Sequence, residues 1–257
     1  MKTTSRVEPQ VAKKLAGRVA LVTGGSRGIG AAIAKRLAAD GAAVTLTFSS
    51  SPAKADEVAR SIKAAGGKAL PIKADAADTE AVRLAVAKTI GAFGGIDILV
   101  NNAGVGIIAP IGQFSLEDFD KLIAVNVRGL FVSTQEAARH MREGGRIIHI
   151  GSTNSERMPF VGGSVYALTK AAVAGFTRGV ARDLGPRGIT VNNVQPGPID
   201  TDTNPADGDF AKTLVPITAL ERYGNTDEIA SFVAFLASSE ASYITGASLL
   251  ADGGFAA

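Results

Sequence analysis

The chain has no cysteine and no tryptophan, and only two of its 257 residues are histidine. Without thiols there is no disulfide, no thiolate metal site and no cysteine nucleophile, and a reducing compartment is permitted. His140 and His149 cannot complete a zinc site alone. Aromatics are few, eleven Phe and three Tyr. No uncharged apolar run reaches the roughly 18 residues of a membrane span. An excess of one charge is also missing: 27 Lys and Arg face 24 Asp and Glu, a net +3, and like charges run no further than pairs such as Lys13-Lys14. With no basic stretch interleaved with stacking aromatics, nucleic acid is not expected as a partner. Residues 1–14 are polar and lack the apolar core of a secretory signal. The expectation is a soluble cytoplasmic protein with a flexible leader over 1–14 and one domain over 15–257.

What is abundant is glycine, thirty residues, and hydrophobic side chains, 46% of the chain, enough to bury a sizeable core. From Gly17 onward apolar runs alternate with helical patterns at a rhythm of roughly 30 residues, as βαβ units do. Arg18–Thr23 reads as a buried strand, followed by a glycine cluster and a helix with Ile29, Ile33 and Leu37 on one face. Further strands fall at Ala43–Phe48, Lys68–Asp75, Ile96–Asn101, Arg146–Ile150, Ile189–Val194 and Ser248–Leu250. Helices fall between Pro52 and Gly66, over Asp78–Ile90, from a capping box at Ser115–Asp118 to Met141, over Val165–Leu184 and over Thr226–Ala237. The Pro-, Asp- and Thr-rich stretch Gly197–Pro216 has little periodicity and reads as a lid or binding segment. Strands joined by crossover helices are parallel and covered on both faces. The expected fold is therefore α/β, a doubly wound Rossmann-type sheet of about seven strands with ligands at its C-terminal edge.

The first strand-helix turn, Thr23-Gly24-Gly25-Ser26-Arg27-Gly28-Ile29-Gly30, spaces its glycines as G-x-x-x-G-x-G. Glycines there let the backbone turn sharply and approach a pyrophosphate at a helix N-terminus, although they could equally serve packing. At the end of the second strand an acid would accept from the ribose hydroxyl of NAD, but the chain reads Phe48-Ser49-Ser50-Ser51. Hydroxyls there, with Arg27 and Lys54 as cations, suit the extra phosphate of NADP, with NAD possible and a plain polar turn the alternative. Tyr166 and Lys170 stand four residues apart on one helix face. An ammonium beside a phenol favours the phenolate and makes a usable proton donor or acceptor, though such pairs also simply cover helix surfaces. His149 alternates within a strand as a core residue, and His140 reads as surface. Pro205, Asp207 and Asp209 are better read as a solvated lid than as a metal cluster.

Set in order, Thr23-Gly-x-x-x-Gly-Ile-Gly30, Asn101-Asn102-Ala103-Gly104, Asn126, Ser152, Tyr166-x-x-x-Lys170 and Pro196-Gly197 resemble the short-chain dehydrogenase/reductase family. The likeness runs from about Leu15 to the C-terminus and is greatest to members like 3-oxoacyl-carrier-protein reductase. It implies that Tyr166 exchanges a proton with a carbonyl or alcohol oxygen while a hydride moves to or from the nicotinamide. Ser152 would hydrogen-bond that oxygen, Lys170 would hold the nicotinamide ribose, and Asn126 would hold the water or backbone arrangement linking the lysine to solvent. Gly24, Ser26, Arg27, Gly28, Ile29 and Gly30 would line the pyrophosphate and adenosine side. Ser49 and Ser50 would meet the ribose phosphate, Asp75 and Ala76 the adenine, and Asn101, Ala103 and Gly104 the central ribose. Pro196, Gly197, Ile199 and Thr201 would face the nicotinamide.

One departure stands out: the family's serine lies thirteen residues before the tyrosine, whereas Ser152 lies fourteen before Tyr166. Either the loop Asn154–Val165 holds an extra residue or Thr153 supplies the hydroxyl, with Ser155 a third choice. The position of Ser152 directly after a strand favours the insertion. The resemblance further implies a homotetramer using the Tyr166 helix and Ser248–Ala257. It points to a carbonyl or alcohol substrate. Val105, Ile107, Ile108, Phe160 and Val161, mostly apolar and near the motifs, read either as a pocket for hydrophobic substrates or as ordinary loop packing. The rival reading is a nucleotide-binding regulatory protein on the same fold with little or no turnover.

Overall fold

The computed structural model describes residues 13–257. Seven strands, β1 (Val19–Val22), β2 (Ala43–Phe48), β3 (Lys68–Lys73), β4 (Ile98–Asn101), β5 (Arg146–Ile150), β6 (Thr190–Pro196) and β7 (Ser248–Ala251), form one sheet in the order β3-β2-β1-β4-β5-β6-β7. Every pairing is parallel. The chain works outward from β1 to β3 and then returns to place β4 on the other side of β1. This reversal leaves a crevice at the strands' C-terminal ends. Residues 1–12 of the expected leader lie outside the described residues, and Lys14 donates from its ammonium to Glu240 Oε1 at 2.9 Å.

Alternation along the strands sorts side chains between two helical layers. Ala20 and Val22 of β1 join Ile33, Leu37, Val58 and Val233 on the face covered by α1 (Gly28–Ala39), α2 (Pro52–Ala64) and α8 (Thr226–Ala237). Leu21 faces the other way, with Leu99, Ile147 and Val191, onto α3 (Thr79–Phe93), α5 (Leu130–His140) and α6 (Ser164–Leu184). Leu37 and Leu99 are fully buried, and each such burial contributes about 1.5–3 kcal/mol. Pro71 is tolerated in β3 because that strand is an edge and its outer side needs no donor.

Two expectations need correction. The long helix opening at Ser115 is α4 (Leu116–Leu122) and α5 joined by a π-helical segment, Ile123–Gly129. Its widened turn leaves no mark on hydrophobic spacing. The box at its start is only half formed: Ser115 Oγ accepts from Asp118 N–H at 3.0 Å and donates to the Asp118 carboxylate rather than closing the reciprocal bond. The complete box is at α8, between Asn225 and Glu228. The aperiodic stretch Gly197–Pro216 contains a short helix, α7 (Asp209–Leu214). Its Ala211 and Leu214 are buried with Tyr223 and Phe255, partners too distant in sequence for periodicity to reveal.

Candidate active site

The turn between β1 and α1 sits at the crevice, riveted to its neighbours. Thr23 Oγ1 accepts from the backbone N–H groups of Asn102 and Ala103, both at 3.0 Å. Asn102 Nδ2 donates to the carbonyls of Thr23 and Gly24, each at 3.0 Å. Gly24 N–H donates to Thr47 Oγ1 at 3.1 Å. Gly24 and Gly28 adopt φ of 66° and 53°, which side-chain-bearing residues avoid. A Cβ on Gly30 would lie 2.3 Å from Gly24 O and 2.4 Å from Asn102 Nδ2. The N-terminus of α1, spanned by Gly28, Ile29 and Gly30, has no side-chain cap and no acid in its first turn. Its free N–H groups and positive dipole end therefore suit an anion, and the glycine cradle fits a pyrophosphate. Ser26 is partly exposed and Arg27 exposed on the rim.

At the adenosine end, Ser49 and Ser50 are exposed beyond β2, and Asp75 is exposed with Oδ1 accepting from Ala77 N–H at 2.9 Å. Ala76 is partly buried, its carbonyl packed so closely on Gly129 that a Cβ there would lie 2.2 Å away. Lys54, expected to serve a ribose phosphate, is ion-paired with Asp202 from the loop after β6. Its ammonium, through a hydrogen bond and its charge, holds the Asp202 carboxyl below the usual carboxylate range, and the Arg27 charge adds to this.

Asn101 behaves differently from its expected neighbours. Its side chain is buried between sheet and helix, accepting from Ser133 Oγ at 2.6 Å and donating to Thr134 Oγ1 at 2.9 Å, with His149 Nδ1 3.1 Å away. Only its backbone is left for a ligand. His149 is fully buried beside Phe176, and burial pushes its pKa down to about 3. Its Nε2 has no hydrogen-bond partner.

The four residues expected to do chemistry come from three elements: Asn126 from the π-helical segment, Ser152 from the turn after β5, and Tyr166 and Lys170 from α6. Asn126 sits in the π-helical segment, and such segments recur at functional sites. Its Oδ1 accepts from Val105 N–H and its Nδ2 donates to Val105 O, both at 2.9 Å, with a further bond to Thr169 Oγ1 at 3.2 Å. The amide thus ties the loop after β4 to α6. Lys170 is buried, donates from Nζ to Ile150 O at 3.0 Å, and lies 5.6 Å from the centroid of the Tyr166 ring. A Cβ added to Gly104 would stand 3.7 Å from Lys170 Nζ and 3.5 Å from Asn126 Oδ1. Tyr166 is partly exposed, its ring edge under Gly106.

Three hydroxyls follow β5. Ser152 Oγ bonds only within its own turn, accepting from Asn154 N–H at 3.1 Å and donating to Asn154 Oδ1 at 3.2 Å. Thr153 Oγ1 instead donates to Asp252 Oδ2 at 3.0 Å, and Ser155 Oγ donates to Ser152 O and accepts from Gln195 Nε2. The Asp252 carboxylate also accepts from the backbone N–H groups of Gly254 and Ala256, fastening the C-terminal segment to this loop.

Pro196 ends β6, and Gly197 lies so close to Asp252 that a Cβ would be 2.7 Å from its Cα. Ile199 is buried and bridges to Gly224. Thr201 arches back to the glycine turn, its Cγ2 3.4 Å from where a Gly28 Cβ would be. Phe160 meets Phe210 of α7 edge-on at 5.2 Å, while Ile108 and Val161 stay exposed on the rim and Val105 and Ile107 partly so. Asp207 is exposed and Asp209 pairs with Lys212. Among the described residues no cluster of His, Cys, Asp or Glu could hold a metal ion, and no helix is long and apolar enough to cross a membrane.

Sequence reasoning passed over Thr47, Thr169, Asp202 and Asp252, and took Thr23 and Asn102 only as motif letters. Thr23 and Asn102 flank glycine motifs and could have been found there. The others act through contacts that no local pattern encodes.

A family model described as Enoyl-(Acyl carrier protein) reductase matches residues 24–256. The Cyclic-di-GMP-binding biofilm dispersal mediator protein of Escherichia coli is 46% identical over 241 residues, covering 94% of this chain and 98% of its own. A short-chain dehydrogenase/reductase structure from Serratia marcescens is 59% identical with a TM-score of 0.94, covering 95% of this chain and 100% of its own. A short chain dehydrogenase structure from Burkholderia cenocepacia, in complex with NADP, is 52% identical with a TM-score of 0.94 and the same coverage. The ordered motifs, the sheet order and these likenesses over nearly the whole length agree: the chain belongs to the short-chain dehydrogenase/reductase family.

Proposed function

We propose that this protein is an NADP-dependent oxidoreductase that interconverts a carbonyl and a secondary alcohol, on a ketone or a 3-oxoacyl-type substrate. The observation that carries this reading is the convergence of Lys170 Nζ, Asn126 and the Gly104 backbone beside Tyr166, in the same crevice as the glycine cradle. When bound, the nicotinamide supplies or accepts the hydride.

Tyr166 gives its phenolic proton to the carbonyl oxygen in reduction and takes it back in oxidation. The Lys170 ammonium stabilises the phenolate left behind. With one of its three donors held by Ile150 O, the ammonium is fixed in direction and keeps two donors for a ribose. Asn126 holds Val105 and Thr169 in register, so the loop bearing Gly104 cannot drift from the lysine. Ser152 is the hydroxyl best placed to hydrogen-bond the substrate oxygen, because it must release only its own turn, whereas Thr153 would abandon the Asp252 carboxylate that fastens the C-terminal segment. Fixed donors aimed at developing charge are the usual source of large rate gains.

The exposed Ser49, Ser50 and Arg27, with no acid at the end of β2, support NADP over NAD, as does the NADP complex of the Burkholderia relative. The exposed Phe131 and Leu168 on α5 and α6, and Leu250 on the edge strand β7, suit a homotetramer built on those two faces. Sedimentation showing a stable monomer at micromolar concentration would overturn that assembly.

A second reading, a nucleotide-binding regulatory protein with little turnover, is favoured by the likeness to the Escherichia coli dispersal mediator, whose name says it binds cyclic di-GMP. Oxidation of NADPH by ketones, β-keto esters and acetoacetyl thioesters separates the two. The reductase reading expects turnover that Tyr166→Phe abolishes. Tight binding of cyclic di-GMP with no turnover on any of these substrates favours the regulator.

A further inference from the structure

The loop after β6 carries a feature that the proposed reaction does not use. Lys54 lies in the first turn of α2, just beyond β2, while Asp202 follows β6. Between β2 and β6 the sheet places β1, β4 and β5, so the two strands are four spacings, about 19 Å, apart. The Lys54–Asp202 ion pair nevertheless joins them, over the crevice in which the glycine cradle lies. The strap is built rather than incidental. Thr201 rests against Gly28, Thr201 and Asn204 pair their backbones, and Asp200 Oδ1 accepts from Ala206 N–H at 3.0 Å, so Asp202 is presented from a folded turn.

We infer that Asp202 is a cofactor-discriminating residue acting through Lys54: its carboxylate occupies the cation that the 2'-phosphate of NADP needs. This rests on the dinucleotide-binding reading above. The cations facing Asp202 are Lys54 and Arg27, the same two that the sequence offers, with Ser49 and Ser50, to the 2'-phosphate. A phosphate ester brings up to two negative charges against the single charge of the carboxylate. NADPH therefore draws Lys54 from Asp202, whereas NADH, with a neutral hydroxyl there, leaves the pair intact. Asp202 thereby holds NADPH affinity below what Lys54 and Arg27 could give and leaves NADH affinity untouched.

The test is the affinity of the full-length protein and its Asp202→Asn variant for NADPH and NADH, followed by the fluorescence of the bound reduced nicotinamide. Both side chains of the pair are about half exposed, so the expected gain is modest, on the order of two- to fivefold tighter NADPH. NADH should be unchanged, and the gain should shrink in high salt. Lys54→Met should weaken NADPH, and Asp202→Asn should add little on that background. NADPH binding that is unchanged or weaker in Asp202→Asn, or an equal shift for NADH, overturns the inference. A wild-type protein that binds neither dinucleotide overturns instead the functional reading on which it stands.

Discussion

Mild acid should destabilise this protein through one buried side chain. His149 has no exposed surface, and burial lowers its pKa from 6.5 to about 3. Above pH 6.5 the residue is neutral in both folded and unfolded chains and adds no pH dependence. As the pH falls below 6.5 the unfolded chain takes up a proton at His149 that the folded chain refuses, so stability drops until the pH approaches 3. At 1.36 kcal/mol per pH unit, moving from pH 7 to pH 5 costs about 2 kcal/mol. That is a large part of the roughly 5–15 kcal/mol holding a typical domain. His149→Gln removes the titration and keeps an amide oxygen to accept from Asn101 Nδ2. Urea unfolding of both proteins at pH 7 and pH 5, at fixed ionic strength and protein concentration, should show the wild type losing about 2 kcal/mol more than the variant. Glu228, held down to about 2 by Arg222, titrates lower and equally in both proteins, so it cancels. Equal losses in the two proteins would show that His149 does not set the acid sensitivity.

Other substitutions probe the site more directly. Gly30→Ala pushes a methyl group to within 2.3 Å of Gly24 O; it should weaken NADPH binding at least tenfold and lower stability by about 1–3 kcal/mol, read by titration and unfolding. Near-normal binding would show that the cradle does not hold the pyrophosphate. Ser152→Ala should reduce kcat at least tenfold with little loss of stability. Thr153→Val should leave kcat within a few-fold and cost about 0.5–1.5 kcal/mol of stability, because it strips one bond from the partly buried Asp252 carboxylate, which keeps the N–H groups of Gly254 and Ala256. The opposite pattern would assign the substrate hydroxyl to Thr153.

The strands were readable because each is a short apolar run bounded by turn residues: β2 and β5 match expectation to the residue, and α8 does too. Because crossovers between parallel strands share one hand, the reversal of direction at β1 puts helices on both faces of the sheet. The glycine turn was readable for a different reason, since glycine suits the positive φ of Gly24 and Gly28 and a Cβ on Gly30 would strike Gly24 O. Three features were illegible. The π-helical segment around Asn126 changes the winding without changing composition. The side chain of Asn101 turns into the sheet-helix interface because Ser133, Thr134 and His149 offer partners there, all of them far away in sequence. The pairing of Lys54 with Asp202 depends on where a long, aperiodic loop comes to rest.

The proposed function requires that Tyr166 move the proton in a hydride-transfer reaction. The direct measurement is the loss of reduced-nicotinamide absorbance when purified protein is given NADPH and a panel of ketones, β-keto esters and acetoacetyl thioesters, with Tyr166→Phe alongside at equal NADPH occupancy. The wild type should turn over and the variant should lose at least a thousandfold, equivalent to about 4 kcal/mol of barrier, with NADPH affinity retained. Turnover that survives in Tyr166→Phe would contradict it.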